Sequence, residues 1–190
     1  MIQILELIKL LGLGIASLII CSIAMADIKN TKDFMKAIEE VRQEYPEDSI
    51  ERKIPTGFIA TVAAAETGNF QFKGAPTAQK GNNYFGMKPI GDQDFVTTTG
   101  GTNIASFPDS KASIRSFLSL ISTDDRYKNV MESTEKIEDM FTGMSPYAER
   151  TDYPSFLANV YTNRIKPVIE TENMLIPKPK PMVDQMNTLK

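Results

Sequence analysis

Ile54-Pro55-Thr56-Gly57-Phe58-Ile59-Ala60-Thr61-Val62-Ala63-Ala64-Ala65-Glu66-Thr67-Gly68 is the stretch on which the reading of this chain turns. Pro55 suits the first turn of a helix, where its missing N–H costs nothing. The alanine-rich run continues that helix to Glu66, and Thr67-Gly68-Asn69 closes it with residues that tolerate a left-handed turn. Spacing of i, i+3, i+4, i+7 puts Ile59, Val62, Ala63 and Glu66 on one stripe. A carboxyl in line with an apolar stripe is partly desolvated, and in the last helical turn it faces the negative end of the helix dipole. Both effects disfavour the anion and raise the pKa, as a general acid near neutral pH requires. A helix rotated the other way leaves Glu66 an ordinary solvated residue, which is the alternative that spacing alone leaves open.

Outward from this helix the pattern is mainly helical. Thr31 is positioned to cap a helix carrying Phe34, Ile38, Val41 and Tyr45, stopped by Pro46. Residues 73–83, rich in Lys, Gly, Pro, Gln and Asn, read as loop. Asp94 to Thr99 and Thr102 to Phe107 are β-prone around Gly100-Gly101, giving one short hairpin. After Asp109-Ser110, Ile114, Phe117, Leu118 and Ile121 mark a helix face, and a shorter helix is expected near Thr134 to Phe141. The last helix opens near Pro154 with Leu157, Val160, Tyr161, Ile165 and Val168, and Pro167 should kink or end it. Ile176-Pro-Lys-Pro-Lys-Pro181 favours polyproline II, so residues 171–190 read as a flexible Pro/Lys tail. The chain has no internal repeat.

The chain's 190 residues, 42% hydrophobic and 24% charged, fit one packed domain. A formal charge of -3 gives no basic excess for a nucleic-acid surface. With no histidine and one cysteine, Ser-His-Asp and Cys-His catalysis, His/Cys zinc sites and an intrachain disulfide are all excluded. The single cysteine, Cys21, lies in the uncharged run Leu10 to Ala24, preceded by Lys9 and followed by Ala24-Met25-Ala26. That is the layout of a secretory signal peptide over residues 1–26. The run is shorter than the ~20 residues that span a bilayer, which disfavours an uncleaved anchor. Ile20 is too bulky for lipoprotein processing at Cys21. Either a signal peptide or an anchor puts the domain outside the cytoplasm, in the periplasm or cell envelope. The membrane is then met only through this segment.

Four blocks carry a resemblance to a known family. The Ile54–Gly68 segment resembles the helix that ends in Glu-Ser-small or aromatic-Gly in the bacterial glucosaminidases of glycoside hydrolase family 73, also named mannosyl-glycoprotein endo-β-N-acetylglucosaminidase-like. Gly81-Asn82-Asn83-Tyr84-Phe85-Gly86-Met87-Lys88 looks like that family's Gly-Asn-Asn-Leu-Phe-Gly-Ile-Lys motif. Ser106-Phe107-Pro108-Asp109-Ser110, with the helix after it and Asp125-Arg126-Tyr127, matches the next block. Tyr147-Ala148-Glu149-Arg150-Thr151-Asp152-Tyr153 is similar to the closing block, especially of the Bax-type branch. The blocks occur in the family's order over residues 54–165.

The resemblance implies a lysozyme-like α domain with one small β-hairpin lobe over residues 27–170, acting on the glycan strand of peptidoglycan. By position Glu66 matches the catalytic acid, and Tyr147 a tyrosine near it that orients the acid, positions water or holds the acetamido group. Asn83, Tyr84 and Phe85, with Asn82 beside them, map to the segment shaping the cleft floor and are the substrate-binding candidates; a turn at Asn82-Asn83 and a core role for Phe85 are the alternatives. No motif calls for a metal or an organic cofactor.

One departure stands out. The family's second carboxylate, where present, follows a Thr-rich strand of the β-lobe, whereas Thr97-Thr98-Thr99 here runs into Gly100-Gly101. Asp92 and Asp94, at the hairpin's other end, are the remaining candidates for a second acid. Three outcomes stay open: one of these aspartates acts as base, the substrate's own acetamido group assists, or the domain is a weakened glycan-binding module. A lytic transglycosylase, which can use one acid, is a further alternative to the hydrolase.

Overall fold

The computed structural model describes residues 30–72 and 76–175. The stretch expected to be a signal peptide, residues 1–26, and the Pro/Lys stretch from 176 onward lie outside the described residues.

The Ile54–Gly68 stretch forms the central helix of the domain. In chain order the first elements are α1 (Thr31–Arg42), α2 (Ile50–Lys53), α3 (Thr56–Thr67) and α4 (Pro76–Lys80). The short strands β1 (Phe95–Thr97) and β2 (Asn103–Ala105) follow, then α5 (Ser110–Thr123), a 3-10 turn (Asp125–Tyr127), α6 (Lys128–Glu132) and α7 (Ile137–Gly143). The last run is α8 (Tyr153–Val160), a π turn (Tyr161–Ile165) and α9 (Lys166–Leu175). The fold is mainly α with one two-stranded antiparallel sheet, as the sequence implied. No described helix is long and apolar enough to cross a membrane.

Helix α3 is buried on every side rather than along one stripe: Gly57 through Ala64 and Thr67 are all inaccessible. A helix apolar all round belongs in the middle of a packed domain, and α3 contacts α1, α7, α8 and the π turn. Its two buried hydroxyls are satisfied within the helix: Thr61 Oγ1 donates to the Gly57 carbonyl and Thr67 Oγ1 to that of Ala63, both at 2.6 Å. Gly68, at φ 60°, ends the helix in the left-handed conformation, and Asn69 follows at φ 63°.

Several local expectations are corrected. Asn30, not Thr31, caps α1, accepting from the Asp33 N–H at 3.0 Å. The helix ends at Arg42, so Tyr45 packs from the turn beyond it. The polar stretch 73–83 contains α4, and the short helices α2 and α6 are additional. Pro167 neither ends nor interrupts the last helix. The π turn just upstream absorbs the register change where proline has no N–H to donate, and the helix continues to Leu175. Residues 171–175 therefore belong to α9 and not to the tail.

The β-lobe is small and is held by its neighbours. Phe95 pairs with Ala105, Val96 with Ile104 and Thr97 with Asn103, and the turn closes through Gly101 at φ 81°. Two strands alone are marginal. Here the Ala105 N–H donates to the Met87 carbonyl and the Phe107 N–H to the Gly81 carbonyl, tying β2 to the Gly81–Lys88 segment. Asn83 completes this tie. Its fully buried side chain donates to the carbonyls of Met87 (2.8 Å) and Ala105 (2.9 Å) and accepts from the Met87 N–H at 3.0 Å. Asn83→Ala leaves the Met87 N–H and Ala105 carbonyl without that partner and opens a cavity. It is expected to lower unfolding free energy by about 2–4 kcal/mol in urea denaturation, with the β-lobe losing amide-exchange protection first.

Candidate active site

Glu66 stands in the last turn of α3, partly buried, where the helix meets the Gly81–Lys88 segment. Its Oε1 accepts a 2.6 Å hydrogen bond from the Tyr153 hydroxyl. Its Oε2 faces Gly86: a Cβ built on that glycine would lie 3.0 Å from it. Gly86 has φ +64°, so this position is closed to a side chain both by backbone conformation and by the carboxyl beside it.

Burial is the main influence on Glu66 and raises its pKa; the Tyr153 hydrogen bond and the charge of Arg150 oppose that shift without cancelling it. Tyr153 is pushed far above the ordinary phenol range, by burial first and then by the Glu66 charge. It is therefore a permanent proton donor to the carboxylate. The direction is the one expected from the sequence, and its first cause is the expected desolvation.

Tyr147 stacks against Tyr153, with ring centroids 5.9 Å apart and planes 12° apart. Its hydroxyl goes elsewhere, donating to the Phe85 carbonyl at 2.5 Å. Burial, and then the Glu66 charge, raise its pKa well above the usual value. The phenol hydrogen-bonded to Glu66 is thus Tyr153 and not Tyr147. Tyr147 supports its ring and fixes the backbone next to Gly86. Both tyrosines lie in the closing sequence block, and a nearly buried phenol at a helix start needs a hydrogen-bond partner. That requirement was the available clue to Tyr153.

A cleft of about 950 Å³ reaches this region at Gly86 and Tyr147, which line it, with Glu66 and Tyr153 set behind them and outside its lining. Gly86 to Ile90 and Gln93 form one side, and Ser116, Ser119, Leu120 and Thr123 of α5 another. Asp124 to Tyr127 and Ser145 to Glu149 close the remainder.

The three substrate-binding candidates lie beneath this surface. Asn83 spends its amide on backbone groups, as described above. The Phe85 ring is fully buried and stacks on Phe117 at 4.1 Å with planes 4° apart. The Tyr84 ring is buried between Phe34 and Phe72. Their side chains build the floor from below and do not line the cleft, because the Gly81–Lys88 segment turns its aromatics into the core.

Asp92 and Asp94 are exposed and also off the cleft, although Gln93 between them lines it. Asp92 sits in a turn closed by the Gln93 N–H to Ile90 carbonyl bond, and Asp94 accepts the Ser106 N–H through its backbone. The acids that do line the cleft, Asp124, Asp125 and Glu149, were not singled out from sequence. Among the described residues no group of three or more His, Cys, Asp or Glu is placed to hold a metal ion.

Residues 42–173, more than half of the chain, match the family model of mannosyl-glycoprotein endo-β-N-acetylglucosaminidase. The chain belongs to this glucosaminidase family. No curated protein sequence matches it. Its fold is similar to that of a peptidoglycan hydrolase from Sphingomonas sp. A1, at TM-score 0.57 and 15% identity over 77% of this chain and 94% of that one. It is similar also to the glycoside hydrolase domain of FlgJ from Salmonella typhimurium, at TM-score 0.55 and 20% identity over 76% of this chain and 93% of that one. These identities carry the fold, and the family model carries the membership in a class of glycoside hydrolases.

The raised Glu66 pKa has a stability consequence. A carboxyl that holds its proton more tightly in the fold than in the unfolded chain favours the fold below its unfolded pKa, and that contribution is lost as pH rises through the folded value. Glu66→Gln keeps an oxygen for Tyr153 and removes the charge. It is expected to melt at a higher temperature than wild type at neutral pH, with the difference closing below pH ~4. Equal melting temperatures at both pH values would mean that burial does not shift this carboxyl.

Proposed function

We propose that the protein is an exported hydrolase of the endo-β-N-acetylglucosaminidase type that cuts the glycan strand of peptidoglycan, with Glu66 as general acid. The observation that carries this reading is the partly buried Glu66 carboxyl, hydrogen-bonded by Tyr153 and set against the glycine wall of an open cleft. Membership in the glucosaminidase family supports the reaction class, and the peptidoglycan hydrolase of similar fold supports the substrate. The signal-like residues 1–26 support export to the periplasm or cell envelope.

In this mechanism protonated Glu66 gives its proton to the glycosidic oxygen as the bond to the anomeric carbon breaks. Burial raises the pKa of the carboxyl and so favours its protonated form. As the carboxylate forms, the Tyr153 hydroxyl already points at Oε1 and stabilises the new charge without reorganisation. Tyr147 keeps the Tyr153 ring and the Gly86 backbone in place. Gly86 leaves the approach to Oε2 free of a side chain.

A lytic transglycosylase is the second reading, favoured by the position of Asp92 and Asp94 off the cleft. Digestion of purified peptidoglycan by the protein and by Glu66→Gln, with mass spectrometry of the released ends, separates the two. The hydrolase yields new reducing N-acetylglucosamine ends that vanish in the variant. Anhydro-muramyl ends would replace the hydrolase with the transglycosylase, and no new ends would remove both.

Tyr153→Phe tests the phenol. Losing a donor that favours the carboxylate raises the Glu66 pKa further, so the alkaline limb of the kcat/KM profile is expected to move to higher pH. The kcat is expected to fall on the order of 10-fold, since a hydrogen bond to a charged group is worth ~1.5 kcal/mol or more. An unmoved limb would show that the phenol does not tune the acid.

A further inference from the structure

An inverting hydrolysis needs a group to take a proton from water, and the β-lobe adds none to the cleft lining: Gly100-Gly101 occupy its turn, and Asp92 and Asp94 are off the cleft. Three carboxylates do line the cleft, and their surroundings differ.

Asp124 is already engaged. It caps the 3-10 turn by accepting the Arg126 N–H at 3.0 Å, and it pairs with the Arg126 guanidinium through Nε at 3.0 Å and Nη2 at 2.7 Å. Arg126 holds its carboxyl below the usual range, which makes it a poor proton acceptor. Asp125 is the next residue on the same side, in the connection that follows α5.

Glu149 is placed differently. It lies in the segment between Tyr147 and Tyr153, and that segment is tied to the acid's surroundings at both ends. The Tyr147 hydroxyl is bonded to the Phe85 carbonyl, beside Gly86, and the Tyr153 hydroxyl to Glu66 itself. Glu149 follows the first anchor by two residues and precedes the second by four, so the chain holds it within roughly 7 Å and 14 Å of the two anchoring backbones. Its side chain is exposed, lines the cleft, and has no ion-pair partner among the described residues. The neighbouring cation, Arg150, is paired with Asp152 at 2.7 Å and lies over the Phe156 ring. This cation leaves Glu149 unneutralised.

We propose that Glu149 is the general base of the reaction, replacing an acid of the β-lobe. The inference rests on the glycosidase reading above and names the second catalytic group within it. The Glu149 carboxylate takes one proton from a water molecule as the water oxygen bonds to the anomeric carbon. The bond from that carbon to the glycosidic oxygen breaks, its electron pair stays on the oxygen, and Glu66 supplies the proton that completes the new hydroxyl. Glu149 then returns its proton to solvent and Glu66 recovers one, so the cycle closes without a cofactor. Water entering opposite the leaving group inverts the anomeric centre.

The test uses the whole protein, its Glu149→Gln and Glu149→Ala variants, Asp125→Asn, and Glu66→Gln as the inactive reference, with purified peptidoglycan as substrate. Glu149→Gln is expected to lose ~100-fold or more in kcat with little change in KM and an unchanged melting temperature. Added azide is expected to restore turnover in Glu149→Ala and to leave an α-glycosyl azide at the new end, which a merely structural role would not produce. Activity within ~3-fold of wild type in Glu149→Gln, beside an inactive Glu66→Gln, would overturn the assignment while leaving the glycosidase reading intact. Loss in Asp125→Asn with retention in Glu149→Gln would move the base to Asp125 and overturn it equally. Anhydro ends from wild type would overturn it because no water is then activated. No turnover in wild type would instead sink the glycosidase reading and this inference with it.

Discussion

The hydrogen bond from the Tyr153 hydroxyl to Glu66 is the contact on which the candidate site depends, because it joins the end of the central helix to the start of α8. Glu66 closes the central helix α3, and Tyr153 opens α8. Each side chain supplies the hydrogen-bond partner that the other lacks. A carboxyl this buried needs a donor, and a buried phenol needs an acceptor. The 2.6 Å bond satisfies both and ties the start of α8 to the end of α3.

The remaining structure around the cleft reads as support for that pair. Asn83 binds three backbone groups and thereby sets the path of the Gly81–Lys88 segment. Phe85 on Phe117 anchors that segment to α5, and Tyr147 reaches across to its carbonyl. The result is a rigid strip of backbone with Gly86 at the point nearest the acid. A short β-lobe that could not stand alone is held by the same strip through Met87 and Gly81. Precision at the carboxyl is therefore achieved with core residues, while the cleft surface is left to polar and loop residues.

The sequence disclosed the class of fold, the central helix and its acid, because these rest on local patterns: an alanine-rich run, a left-handed closure and a carboxyl near an apolar stripe. It disclosed less about the residues packed around that acid. Asn83 and Tyr84 are polar types, and polarity in a loop suggests a ligand; only the packed structure reveals that the amide is consumed by backbone and the ring by Phe34 and Phe72. Tyr147 and Tyr153 are six residues apart in one block, and which of them meets Glu66 depends on where α8 begins. Asp92 and Asp94 were reasonable by proximity to the hairpin, but the turn at Ile90–Gln93 leaves them on the outside. Glu149 has no local pattern at all. Its position follows from two long-range hydrogen bonds that pin the segment around it, and such contacts leave no periodic trace in a sequence.

The central claim is that a buried, phenol-bonded carboxyl at the end of α3 keeps its proton beyond the ordinary range of a glutamate. Site-resolved carbon-13 NMR titration of the Glu66 carboxyl in the folded protein measures this directly. The account predicts a pKa above the ordinary value of 4.5, with the proton lost in a single step that the Tyr153 ring also senses. A carboxyl that titrates at or below that value would contradict it, and Glu66 would then be an ordinary anion unable to serve as the acid.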